Sequence, residues 1–122
     1  MSDKRTGRAS ALFDDAAFVE DLNRASEAGR VIALAARKDY EQDGIPTEQL
    51  LACEDEGPEG TALANCVKVR LPHPDGKFGM VFRIERRAGK LLLAYAAFGV
   101  RHHPRQANAL SVYEVAHRRL SS

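Results

Sequence analysis

From Cys66 to Leu71, and again from Phe78 to Ile84, this 122-residue chain alternates with a period of two, which opens its second half as a sheet. Val67, Val69 and Leu71 lie on one side of an extended segment, with Lys68 and Arg70 on the other. Pro72-His-Pro-Asp-Gly76 supplies turn chemistry. Phe78, Met80, Phe82 and Ile84 then alternate with Gly79, Val81, Arg83 and Glu85 in a second strand. Arg87-Ala-Gly-Lys90 reads as a tight hairpin, and Leu91 to Val100, apolar on both sides, as a covered central strand. Ser111 and Glu114 have capping-box spacing at the start of a short final helix that buries Val112, Val115 and Ala116.

The first half has a helical period. Between Ala9 and Ala28 the residues Leu12, Phe13, Ala16, Ala17, Val19 and Leu22 form a stripe opposite Asp14, Asp15, Glu20 and Asp21. A second helix is expected over Val31 to Tyr40, with Ile32, Leu34 and Ala35 inward and Arg37-Lys38 near its C-terminal end. Thr47 caps a turn, and an acidic loop follows from Glu54 to Gly60. The fold class expected is therefore α+β: N-terminal helices packed on one face of a small antiparallel β-sheet, with a short C-terminal helix. Residues 1–10 are expected to form a flexible tail and 11–122 a single domain.

Composition narrows the function. At 44% apolar and 29% charged residues this is an ordinary globular chain. No apolar run approaches the ~20 residues of a membrane-spanning helix and no secretory signal is visible, so no membrane partner and a cytoplasmic location are expected. Cys53 and Cys66 then read as reduced core residues. The formal charge of +1 conceals a division: residues 1–66 carry seven cations against fourteen carboxylates, residues 67–122 eleven against three. Net charges of −7 and +8 point either to a face that attracts a polyanion or to two halves that neutralise each other.

No phosphate-binding glycine loop, metalloprotease helix or nucleophile elbow is present, and adjacent His102 and His103 diverge too much to make a metal site as a pair. No cofactor is expected. What remains is a set of cations, imidazoles and one phenol. Lys68 and Arg70 project from the first strand, Lys77 begins the second, and Arg101, His102, His103 and Arg105 follow the third. Tyr113 and His117 are spaced i, i+4 on the last helix. For Lys68 and Arg70 the plain alternative is a solvated sheet face, and for Tyr113 a packing contact between helix and sheet.

The segments Val67-Lys-Val-Arg-Leu71, Phe78-Gly-Met-Val-Phe82, Leu91–Val100 running into Arg101, and Ser111-Val-Tyr-Glu-Val-Ala-His-Arg-Arg-Leu120 resemble, in that order, the RelE/ParE toxin superfamily. The resemblance covers roughly the second half, and the strand that precedes the helices in that family is not evident here. It implies a RelE-like toxin: a metal-independent endoribonuclease that cleaves messenger RNA on the ribosome by attack of a ribose 2′-OH on the adjacent phosphate, held inactive by a cognate antitoxin. It places active-site cations at Lys68, Arg70 and Arg101 and the active-site tyrosine at Tyr113. The second-strand arginine of RelE would fall at Gly79, unless Lys77 substitutes for it.

On this reading Arg70 and Arg101 bind the phosphate, since guanidinium groups stay charged and offer paired donors. His102 or His103 carries the proton, with Lys68 as a competing base. Tyr113 stacks on a base or donates to a phosphate oxygen. Lys68, Lys77, Arg83, Arg105 and His117 bind substrate. The alternatives are a ParE-like toxin acting on DNA gyrase and an inactive binding protein with the same fold.

Overall fold

The structure is a computed structural model, in which residues 7–54, 63–74, 76–101 and 111–121 are described. The alternating segments of the second half form three long strands, β4 (Cys66–His73), β5 (Gly76–Arg87) and β6 (Lys90–Val100). They are joined antiparallel, with Val67 opposite Phe82 and Phe78 opposite Val100. Ala88 and Gly89 take φ of 53° and 78°, which makes the β5–β6 link a two-residue turn of the twist that suits a hairpin.

Residues 8–12 depart from the expected tail and helix. Arg8–Leu12 is a strand, β1, lying parallel to β6 with Ser10 opposite Leu92 and Leu12 opposite Ala94. Two short strands, β2 (Ile45–Pro46) and β3 (Leu51–Ala52), finish the edges, giving the order β2-β1-β6-β5-β4-β3. The sheet is therefore mixed rather than wholly antiparallel. Strand β6 is central, as its two-sided apolar character required.

The helices α1 (Asp15–Arg24) and α2 (Glu27–Asp43) start at side-chain caps, Asp14 accepting from the Ala17 N–H and Ser26 from the Gly29 N–H. Their buried faces differ from the expected ones. Phe18, Ala33, Ala36 and Tyr40 enter the core beside Phe78, Met80, Phe82 and Leu93, while Val19 and Leu34 are exposed. Arg37 is set back from the end of α2; it lies over the Phe13 and Phe18 rings and pairs with Asp15 and Glu41.

The third helix, α3 (Val112–Ser121), has the expected capping box: Ser111 Oγ accepts from the Glu114 N–H and Glu114 Oε1 from the Ser111 N–H. It packs on the opposite face of the sheet, so the helices are not confined to one face. A second core there joins Val112, Val115 and Ala116 to Val81, Ala97 and the buried thiols of Cys53 and Cys66. Burial pushes the Cys66 thiol up.

The two faces meet at a bulge. Val81 pairs with Ala97 and Phe82 with Tyr95, so Ala96 is an extra residue in β6. Strand β1 reaches only as far as Ala94, which leaves this edge of β6 without a neighbouring strand. Two side chains replace it. Asp21, 2% exposed, accepts from the Phe98 N–H, the Tyr95 hydroxyl, Arg24 and Arg119. Arg119 of α3 donates to Asp21, to the Ala96 carbonyl, to the Ala17 carbonyl and to Glu20. Burial and the Asp21 charge push the Tyr95 hydroxyl up, so it remains a donor; the Arg119 bond holds Glu20 below the usual carboxylate range.

Removing one partner from a buried ion pair strands the other charge, at a cost of about 3–5 kcal/mol. Arg119→Met should therefore lower the urea-unfolding free energy by about 3 kcal/mol or more, and adding Asp21→Asn should recover part of the loss. A loss below about 1 kcal/mol for Arg119→Met would show that the pair does not hold the edge. At the hairpin, an alanine at positive φ is strained where asparagine is tolerated, so Ala88→Asn should raise stability by about 0.5–1 kcal/mol in the same assay.

Candidate functional site

Residues directly opposite in an antiparallel pair project to the same face. Lys68 is opposite Val81, Arg70 opposite Gly79, and Gly79 opposite Gly99. Lys77 and Arg101 keep the parity of Gly79 and Gly99 along their strands. Val81 lies in the core beneath α3, and a Cβ on Gly99 would meet Val112. Lys68, Arg70, Lys77 and Arg101 therefore share the α3 face, at the end of the sheet where that helix begins.

Each position is fixed by a different contact. Lys68 is 5% exposed, with its Nζ 5.2 Å from the centre of the Tyr113 ring. Arg70 is exposed beside it. The Arg101 backbone N–H donates to the Lys77 carbonyl at 2.8 Å, which ties the end of β6 to the start of β5. Its side chain folds back over Gly79, with Cγ 3.0 Å and Cδ 3.3 Å from the place a Cβ would take. Among the described residues, Arg70, Lys77 and Arg101 form no ion pair. The Arg101 Nε is buried and has no acceptor there. The first turn of α3 adds the partial positive charge of a helix N-terminus to this end.

The division of charge is thus not simply neutralised across the molecule. Arg119 links the basic half to Glu20 and Asp21, whereas the other described carboxylate pairs of Arg24, Arg37 and Arg87 are with neighbours in their own half. Arg70, Lys77 and Arg101, beside and around Gly79, meet no counter-ion among the described residues.

The expected site residues do not all gather here. Tyr113 is 4% exposed within the α3 core, so its ring offers no face to a nucleobase and the stacking role has no room; it packs helix against sheet beneath Lys68. Arg83 and His117 lie at the far end, in a groove of about 630 Å³ with Asn65, Arg86 and Leu120. Tyr113 and His117 do share one side of α3, yet they face different ends of the sheet. His102, His103 and Arg105 lie outside the described residues. Sequence reasoning missed the relation between Gly79 and Arg101, and the signal available was a glycine inside a strand with no turn to explain it.

No family model and no curated protein matches the chain. Among solved structures, it is similar to an Escherichia coli RelE toxin mutant, with two arginines replaced by alanine, in the free state. The identity is 16% over 93% of this chain and 99% of that one, with a TM-score of 0.46. A likeness of that size assigns no residue and no activity to this chain.

Proposed function

We propose that the chain is a RelE-like toxin, a metal-independent endoribonuclease that cleaves messenger RNA on the ribosome and is restrained by a cognate antitoxin. Two things support this reading: the resemblance of the second-half motifs to that superfamily, and a cluster of cations at one end of the sheet. The cluster is the observation that carries it. Arg70, Lys77 and Arg101 come from three successive strand segments and share one face, with Lys68 buried against the Tyr113 ring beside them and Arg101 lying across the position where the expected arginine is replaced by glycine.

In the reaction the ribose 2′-oxygen bonds to phosphorus as its proton passes to a base. The bond to the 5′-oxygen breaks, and that oxygen takes up a proton, leaving a 2′,3′-cyclic phosphate and a free 5′-hydroxyl. Arg70 and Arg101 stabilise the charge that builds on the phosphate oxygens. His102 or His103 carries the protons, because an imidazole titrates near neutral pH. Tyr113 keeps Lys68 in place rather than touching RNA. An antitoxin that masks the cluster would carry negative charge to match it.

The test is induction of the chain without a partner in growing cells, with transcript ends mapped before and after. Growth arrest with new ends inside coding regions is the expected outcome. Arg101→Ala, which removes a transition-state donor, should lower cleavage ~100- to 1,000-fold without changing the melting temperature. Tyr113→Phe keeps the ring beneath Lys68 and should retain most of the activity. Intact transcripts with broken DNA would instead favour a gyrase-directed toxin, and unaffected growth would favour a non-catalytic binding protein.

A further inference from the structure

We propose that Gly79 is a positioning residue: its missing side chain is the seat of Arg101, and together they build a phosphate-oxygen contact beside Arg70. The inference rests on the phosphodiester reading above and assigns a role to a residue that carries no chemistry of its own.

Gly79 sits inside β5, between Arg70 on one neighbouring strand and Gly99 on the other. A glycine in a strand interior weakens the strand unless a turn, a bulge or a close approach calls for it. Gly79 does not have the positive φ that marks Gly44 and Gly89. The pairing is also regular at this position, since the register shift lies between Val81 and Phe82. Close approach remains, and the Arg101 stem supplies it. A Cβ on Gly79 would stand 3.0 Å from Arg101 Cγ and 3.3 Å from Cδ, so any other residue there pushes the stem from its seat by a few tenths of an ångström.

The stem is fixed at both ends. The Arg101 N–H is held by the Lys77 carbonyl, and its methylenes lie on the bare backbone of Gly79. At its tip the guanidinium has a buried Nε–H with no acceptor among the described residues. The paired terminal nitrogens of an arginine match two oxygens of a phosphate. A phosphate seated on them has the exposed Arg70 as its neighbour. The glycine thus leaves room for an arginine from the end of the next strand to lie over it.

The experiment uses the full chain and a fluorescent single-stranded oligoribonucleotide made uncleavable by 2′-O-methyl groups, with binding read by anisotropy at low salt. Gly79→Ala adds one methyl group and should weaken binding about tenfold. Arg101→Met keeps the stem over Gly79 but removes the guanidinium, and should weaken it at least as much. The double variant should bind no worse than Arg101→Met, since the methyl group acts only through Arg101. Melting temperatures are measured alongside, so that loss of fold is not scored as loss of binding. Wild-type affinity in Gly79→Ala, additive losses in the double variant, or no binding by the unmodified chain would overturn the proposal. Binding with this pattern but no cleavage of an unmodified messenger in the presence of ribosomes would support the seat while removing the nuclease reading.

Discussion

The carboxylate of Asp21, buried and met by donors from three directions, is the constraint on which the arrangement of the other parts depends. Strand β6 leaves an edge bare at its bulge, and a buried backbone group without a partner cannot be tolerated. Asp21 takes the Phe98 N–H and Arg119 takes the Ala96 carbonyl, and the two then neutralise each other. Because Asp21 belongs to α1 on one face and Arg119 to α3 on the other, their pairing also fixes α3 relative to the sheet. That placement puts Val112 over Gly99 and Tyr113 beneath Lys68. The candidate site is thus oriented by an ion pair at the opposite end of its own helix.

The two cores follow from the same geometry. On the α1–α2 face, aromatic rings interlock: Phe13, Phe18, Phe82 and Tyr95 meet mostly edge to face, with centroids 5.1–6.2 Å apart. On the α3 face the sheet presents Gly79, Val81, Ala97 and Gly99, small residues that allow a helix and an arginine stem to lie close. One face is built for packing volume and the other for close approach. The cations accompany the second.

Much of this was legible in the sequence where a residue's role is local. The β5–β6 hairpin, the long strands, the capping box at Ser111 and the inward side of α3 all come from patterns a few residues long. The parts that were not legible depend on distant partners. Asp21 looks like one more acid on a solvated helical face, and only Arg119 and the bare edge of β6 draw it inside. Strand β1 reads as part of a helix because Leu12 and Phe13 continue an apparent helical stripe. The bulge at Ala96 is hidden because β6 is apolar on both sides, so a one-residue slip leaves no polar residue out of place. The face chosen by α3 is likewise silent in its own period. At the candidate site the same division holds: the cations were visible as residues, but the reason for Gly79 lies on the next strand's end, in Arg101.

The parallel pairing of β1 with β6 has a consequence for how the chain comes together. Ser10 meets Leu92, and Asp21 meets Arg119 across 98 positions of sequence. Contacts so remote are slow to form, because a long loop must close before it is rewarded. During synthesis, α1 and α2 emerge well before the strands that cover Phe18 and Ala33, and their apolar sides stay open to other molecules meanwhile. A newly made chain therefore has the segments of α1 and α2 before it has the strands that bury them, and its first apolar residues wait longest for their partners.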